Sequence, residues 1–266
     1  MRLQLKRNRN RRSLLYLTGV IILAVATAGG VLWQLGRPLF PAHLAEEVSP
    51  HTTKPKAPTV TTPASAPTAS FSKTLYSLND PGSPWVVVNK SRPLAPASYA
   101  PADLATINGG QVRKEAADAL TTMFKAAQAD GVSLTVVSGY RSYTSQTSVY
   151  NQYVARDGQS AADTYSARPG YSEHQTGWAA DLGPATSSCP AVDQCYATTP
   201  AGKWIAANTY RYGFIIRYQP DKVPITGYEY EPWHVRYVGP SLSQEMHRVG
   251  IRTLEEFFDL GAAPHY

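Results

Sequence analysis

Tyr171-Ser172-Glu173-His174-Gln175-Thr176-Gly177-Trp178-Ala179-Ala180-Asp181-Leu182 sets a histidine and a carboxylate seven positions apart, with a glycine between them. A fully extended segment advances about 3.3 Å per residue, so His174 and Asp181 can share one ion only if the chain turns between them. Gly177 is the residue best able to make that turn. Beyond it, residues 178–182 read as a strand. Further on, Glu231-Pro232-Trp233-His234 supplies another histidine with an acid three positions before it. Pro232 keeps this segment out of a helix interior, so it is not the helical His-Glu-x-x-His arrangement and reads as a turn into a strand over 235–238.

Together these stretches offer His174, Asp181 and His234 as three ligands and Glu231 as an uncommitted carboxylate. Two imidazoles and one carboxylate suit zinc better than magnesium or calcium, which take oxygen shells; the same set also suits non-haem iron. In a zinc hydrolase three protein ligands leave a position for water, whose pKa falls from about 15.7 to about 7. Such a water needs a base, and Glu231 is placed to be one. Taken singly, each residue has a plain reading as a hydrogen-bonded loop histidine or an ion-paired acid. Zinc is expected because all four occur together.

The rest of the chain reads as a mixture of helices and short strands. Trp85-Val86-Val87-Val88 is a β-prone run bounded by Pro84 and Asn89. Residues 113–130 carry Ala116, Leu120, Met123, Phe124 and Ala127 at three-four spacing, an amphipathic helix stopped by Gly131. A strand over 133–137 follows, delivering Ser138-Gly139-Tyr140-Arg141-Ser142-Tyr143 at its end. A helix is predicted over 145–157, a loop over 163–169, a helix over 200–212, a strand over 214–218, and helices over 241–248 and 253–260. This order predicts an α+β fold with an antiparallel central sheet flanked by helices.

The termini are of another kind. Residues 1–13 hold six cations (Arg2, Lys6, Arg7, Arg9, Arg11 and Arg12) and no acid, so the other 19 Lys and Arg are matched by 19 Asp and Glu. The basic pI thus marks an address and leaves no basic patch for nucleic acid. Residues 14–35 are free of charge and long enough, at about 20 residues, to cross a bilayer as a transmembrane helix. The cations then stay in the cytoplasm and the rest lies outside the cell membrane in a single-pass arrangement. Cleavage as a signal peptide near Ala26-Thr27-Ala28 is the alternative, giving a secreted protein. Residues 36–73 are rich in Pro, Thr, Ala and Ser, as in Lys54-Pro55-Lys56-Ala57-Pro58, and read as a disordered linker to a folded domain over 74–266. Cys189 and Cys195 are the only cysteines, which in an exported chain read as a disulfide closing a short loop.

With these pieces in order, the chain resembles the zinc D-Ala-D-Ala carboxypeptidases of the VanY and VanX type, whose wider group includes lysostaphin-like and hedgehog-like metal folds. The resemblance runs from about Trp85 to Leu260. It rests on Ser138-Gly139-Tyr140-Arg141-Ser142 with Gln146, on Ser172-x-His174-x-x-Gly177-x-Ala179-x-Asp181, on Tyr212-Gly213-Phe214 with Arg217-Tyr218, on Glu231-Pro232-Trp233-His234, and on Leu254-Glu255-Glu256. It implies His174, Asp181 and His234 as zinc ligands, Glu231 as general base, Arg141 as oxyanion partner, and Ser172 and Gln146 as substrate contacts. Tyr140 and Trp233 are further candidates for the cleft wall, as are Tyr171 and Trp178. The implied activity is removal of the terminal D-alanine from peptidoglycan stem peptides, with LD-carboxypeptidase or endopeptidase action on the same site plan. A catalytically silent cell-wall-binding zinc module is the alternative of another class. Oligomeric state is not legible.

Overall fold

The structure is a computed structural model that describes residues 71–184, 189, 190 and 192–266. The predicted cytoplasmic segment, membrane span and nearly all of the linker lie outside the described residues. Among the described residues no helix is long and apolar enough to cross a membrane. Phe71, assigned to the linker by composition, packs with ring centroids 5.5 Å from both Trp85 and Phe257, so ordered packing begins slightly before the expected boundary at residue 74.

The fold is α+β. A hairpin of β1 (Leu104–Ile107) and β2 (Gly110–Arg113) leads into helix α1 (Lys114–Ala129), then β3 (Leu134–Ser138), α2 (Tyr143–Asp157) and α3 (Gln159–Tyr165). After a 3-10 turn over Glu173–Thr176 come β4 (Ala179–Pro184), α4 (Pro200–Asn208), β5 (Phe214–Ile216), the single turn α5 (Val223–Thr226), β6 (His234–Tyr237), α6 (Pro240–Val249) and α7 (Leu254–Phe257). The central sheet has strand order β3-β4-β6-β5, and every pairing in it is antiparallel.

Alternation along the strands sorts the two faces of this sheet. Leu134 and Val136 of β3, Ala180 and Leu182 of β4, Val235 and Tyr237 of β6, and Phe214 and Ile216 of β5 join one core with Leu120, Met123 and Ala127 of α1. Their neighbours on the opposite face include Asp181, His234 and Arg236, with Arg217 just past β5. Ile215 on that side joins a smaller core with Trp85, Val87, Leu242 and Phe257. One sheet face is thus spent on packing, and the other carries charge.

Four departures from the predicted elements have physical causes. Trp85–Val88 is not a strand, although its side chains do alternate between the two cores. Its carbonyls are satisfied by arginine side chains, with Arg236 Nη2 donating to Val86 O at 2.8 Å and Arg92 Nε to Val87 O at 3.2 Å, so no partner strand is required. Part of the predicted loop over 163–169 is α3. The β1–β2 hairpin was not predicted, yet Asn108-Gly109 is the two-residue signal for such a turn, and Gly109 has φ +104. The helix predicted over 200–212 stops being α-helical at Asn208 and tightens into a 3-10 turn over Thr209–Tyr212.

A buried ion cluster ties these layers together. Arg217 and Arg236 have no exposed surface. Arg217 forks onto Glu255 of α7 at 2.9 and 2.7 Å and donates through Nε to Glu173 at 2.8 Å; Arg236 Nη1 donates to the same Glu173 oxygen at 2.8 Å. Burial pushes the Glu255 carboxyl up, but the Arg217 charge, its hydrogen bonds and that of Asn89 outweigh this and hold it below the usual 4.5. A carboxyl held low in the folded state contributes stability that is complete above its unfolded value and is lost as pH falls through the folded value. Glu255→Gln is therefore expected to cost about 3–5 kcal/mol near neutral pH, by leaving a buried guanidinium underpaired. The gap to wild type should narrow below about pH 4.5, which urea unfolding at pH 7, 5 and 3 would read.

Candidate active site

The turn demanded by the sequence is present. Glu173–Thr176 forms a 3-10 turn that ends at Gly177 with φ +73, and β4 begins two residues later. A Cβ at Gly177 would sit 2.8 Å from Arg113 Cγ, so the position needs glycine for space as well as conformation. The turn folds His174 back over the strand that carries Asp181, and the sheet brings the third member, since Asp181 of β4 lies directly opposite His234 of β6.

His174 Nε2 lies 3.3 Å from Asp181 Oδ2, and His234 Nδ1 lies 3.0 Å from Asp181 Oδ1. All three residues are buried, and each offers one ligand atom within 4.8 Å of the others. The nitrogens facing away are both occupied. His174 Nδ1 lies 2.8 Å from Gly139 O, where its N–H is the donor, and His234 Nε2 lies 3.3 Å from Glu173 Oε2. These contacts leave His174 Nε2 and His234 Nδ1 as the ring nitrogens turned toward Asp181. Gly139 reaches this position through a close backbone approach, because a Cβ there would meet Gln111 O at 2.2 Å.

Glu231 arrives by the predicted turn, with the His234 amide donating to Glu231 O at 3.2 Å, and its Oε2 is 3.6 Å from His234 Nδ1. Arg141, just past β3, brings Nη2 to 3.9 Å from Asp181 Oδ2. The two acids of the site are driven apart. Burial raises the Asp181 carboxyl, yet the charges and hydrogen bonds of His174 and His234 hold it well below its ordinary value. Burial lifts Glu231 to about 8, with Asp181 adding to the rise and His234 and Arg141 opposing it. Burial and the Arg141 charge lower His174, whereas for His234 burial is outweighed by the hydrogen bonds to Asp181 and Glu173, which raise it to about 9.

These groups sit on one side of a cleft of about 670 Å³. Gln146, Ser172 and Trp233 line it, together with Val192, Asp193 and Gln194 from the loop closed by the Cys189–Cys195 disulfide. Gln146 is 1% exposed; its Nε2 donates to Ala167 O at 2.7 Å, while its Oε1 is buried without a partner, as is Arg141 Nε. Tyr140 does not line the cleft. It precedes Arg141 in an extended segment where successive side chains alternate, and its amide is tied to Gln111 O of β2. Trp178 is core, stacked on Tyr237 at 5.5 Å, and Tyr171 packs edge-on against Tyr266 at 5.1 Å. Glu173, Tyr218 and Tyr228 were not singled out from sequence; Tyr218 packs its ring 5.0 Å from that of His234. The available signal was a cation in each of two apolar strand runs, Ile215-Ile216-Arg217 and Val235-Arg236-Tyr237, which require buried acids.

The family model described as "VanY: D-alanyl-D-alanine carboxypeptidase" matches residues 109–240. The Bacillus subtilis (strain 168) protein YodJ is 42% identical over 195 residues, covering 70% of each chain. Among solved structures, the LdcB LD-carboxypeptidase superposes with TM-score 0.62 at 42% identity, covering 67% of this chain and 87% of that one. A mutant of the vancomycin-resistance D,D-pentapeptidase VanY in complex with Zn(II) does so with TM-score 0.56 at 35% identity, covering 65% and 97%. The fold and the buried His-Asp-His group define a carboxypeptidase class of hydrolase. The chain belongs to the VanY D-alanyl-D-alanine carboxypeptidase family.

Gly177→Ala is expected to destabilise the protein by about 1–2 kcal/mol, the cost of holding a Cβ residue in the left-handed region. Urea unfolding measures it, and an unchanged midpoint would show that the turn does not depend on glycine.

Proposed function

We propose that this protein is a zinc-dependent D-alanyl-D-alanine carboxypeptidase that trims the terminal D-alanine from peptidoglycan stem peptides. The observation that carries the reading is the convergence of His174, Asp181 and His234 beside Glu231, a carboxylate that is not among the three ligands. Two imidazoles and one carboxylate, all buried and with the outward ring nitrogens occupied, fit zinc by donor type and by their supporting hydrogen bonds. When bound there, zinc supplies a Lewis acid that polarises the scissile carbonyl and acidifies a water.

The remaining work falls to side chains. Glu231, held beside His234 and outside the three ligands, is positioned to take a proton from the attacking water and pass it to the leaving amine. Arg141 stands at the same cleft with a buried unpartnered Nε–H and a second nitrogen near Asp181, placed to stabilise the oxyanion as the carbonyl becomes tetrahedral. The unpartnered Oε1 of Gln146 is an acceptor for a substrate amide N–H, and Ser172 adds a hydroxyl to the same wall. The charge-free run over 14–35 behind a basic segment supports anchoring in the cell membrane with this domain outside, where peptidoglycan is found. LD-carboxypeptidase action is the second reading, favoured by the 42% identity to the LdcB LD-carboxypeptidase.

Purified protein with zinc, incubated with pentapeptide and tetrapeptide stems and followed by mass, separates these readings. Loss of one alanine from the pentapeptide, abolished by a chelator, is the expected result. Trimming of the tetrapeptide alone makes the enzyme LD-specific, and no release from either substrate despite bound zinc points to an endopeptidase or a silent binding module. Glu231→Ala is expected to keep zinc and lose roughly 10²- to 10⁴-fold in kcat. Arg141→Met should lose about 2.7–4 kcal/mol of barrier stabilisation, a loss of roughly 10² to 10³ in kcat. Asp181→Ala should fail to retain zinc on dialysis, and a fully loaded variant would remove Asp181 from the ligand set.

A further inference from the structure

We infer that Glu173 is a positioning residue for the metal centre, holding His234 in the ring tautomer and orientation that turn Nδ1 toward Asp181 and Glu231. This rests on the proposed zinc reading. An imidazole that gives one nitrogen to a metal carries its proton on the other, and that N–H needs a fixed acceptor. For His174 the acceptor is a backbone carbonyl, Gly139 O. For His234 it is a side chain, Glu173 Oε2, at 3.3 Å from Nε2.

The geometry around Glu173 is more than its burial requires. It is 1% exposed, and one oxygen, Oε1, receives both Arg217 Nε and Arg236 Nη1 at 2.8 Å. The other oxygen is thereby aimed at His234. Two guanidiniums clamping one oxygen fix the carboxylate plane, and His234 is held in turn between Glu173 on one edge and Asp181 on the other. A buried ion cluster is weak evidence of stabilisation, since replacing it by packed apolar groups is often neutral or better. A cluster whose free oxygen meets a ligand histidine has a reason to be charged that packing does not supply. Glu173 also adjoins His174 in sequence, so one 3-10 turn places one ligand and braces another.

The test compares the full-length protein with Glu173→Gln, Glu173→Asp and Glu255→Gln. Zinc affinity is read by competition with a chromophoric chelator at one pH, and the visible spectrum of the cobalt(II)-loaded protein is recorded. An amide at 173 meets either a guanidinium or the His234 N–H with its own donor, and aspartate falls a methylene short of the ring. Both are expected to weaken zinc roughly 10- to 100-fold and to alter the cobalt bands. Glu255→Gln removes a charge from the same cluster without touching His234 and is expected to keep wild-type affinity and spectrum. Wild-type affinity in either Glu173 variant overturns the inference, as does an equal loss in Glu255→Gln, which would mean general loosening. A wild-type protein that binds no zinc overturns the zinc reading, and this inference falls with it.

Discussion

The antiparallel register that sets Asp181 opposite His234 is the constraint on which the site depends. Side chains in a strand alternate, so a slip of one residue between β4 and β6 would turn one of these ligands into the core and bring an apolar residue to the site. The register is held because the opposite face is already committed. Ala180, Leu182, Val235 and Tyr237 pack against the helix that carries Leu120 and Met123. The pairing of Asp181 with His234 is thus secured by hydrophobic packing on the other face of the sheet.

Electrostatics then divides the acids. Asp181 lies between two imidazoles that hold it well below its ordinary value, whereas Glu231 in the same cleft is lifted by burial to about 8. Two carboxylates in one cleft are given different roles by their neighbours, one suited to holding a cation and the other to moving a proton. The cluster of Glu173, Glu255, Arg217 and Arg236 lies directly behind them. It links α7, β5 and β6 to the 3-10 turn, so that distant parts of the chain meet at the back of the site.

The cleft extends well beyond these groups. Besides Gln146 and Ser172 its lining includes Tyr153, Arg156 and Tyr165 of α2 and α3, and Val192, Asp193 and Gln194 of the disulfide-closed loop. A volume of about 670 Å³ has room for more than a terminal dipeptide, which fits a family whose solved members include both an LD-carboxypeptidase and a D,D-pentapeptidase. The His174, Asp181 and His234 group occupies only part of this cleft, and the rest is lined by α2, α3 and the disulfide-closed loop.

Much of this was legible without coordinates, because local chemistry carried it. His174, Asp181, His234 and Glu231 could be read from residue type and from the turn that Gly177 had to make. The α1 stripe and the strand before Arg141 followed from periodicity, and the Cys189–Cys195 pairing from count and context. Trp85–Val88 was misread as a strand because its alternation is real but its hydrogen-bond partners are arginine side chains more than one hundred residues away in the case of Arg236. Tyr140, a candidate for the cleft wall on residue type, is not among the residues that line it. Glu173 lay within the most informative stretch of the chain and showed no role there. Its partners, Arg217, Arg236 and His234, are brought to it only when β5 and β6 pair. Residue identity determines which chemistry is available, and sheet register and burial decide which atoms face one another, because charges distant in sequence come within hydrogen-bonding reach only through the packing of the elements that carry them.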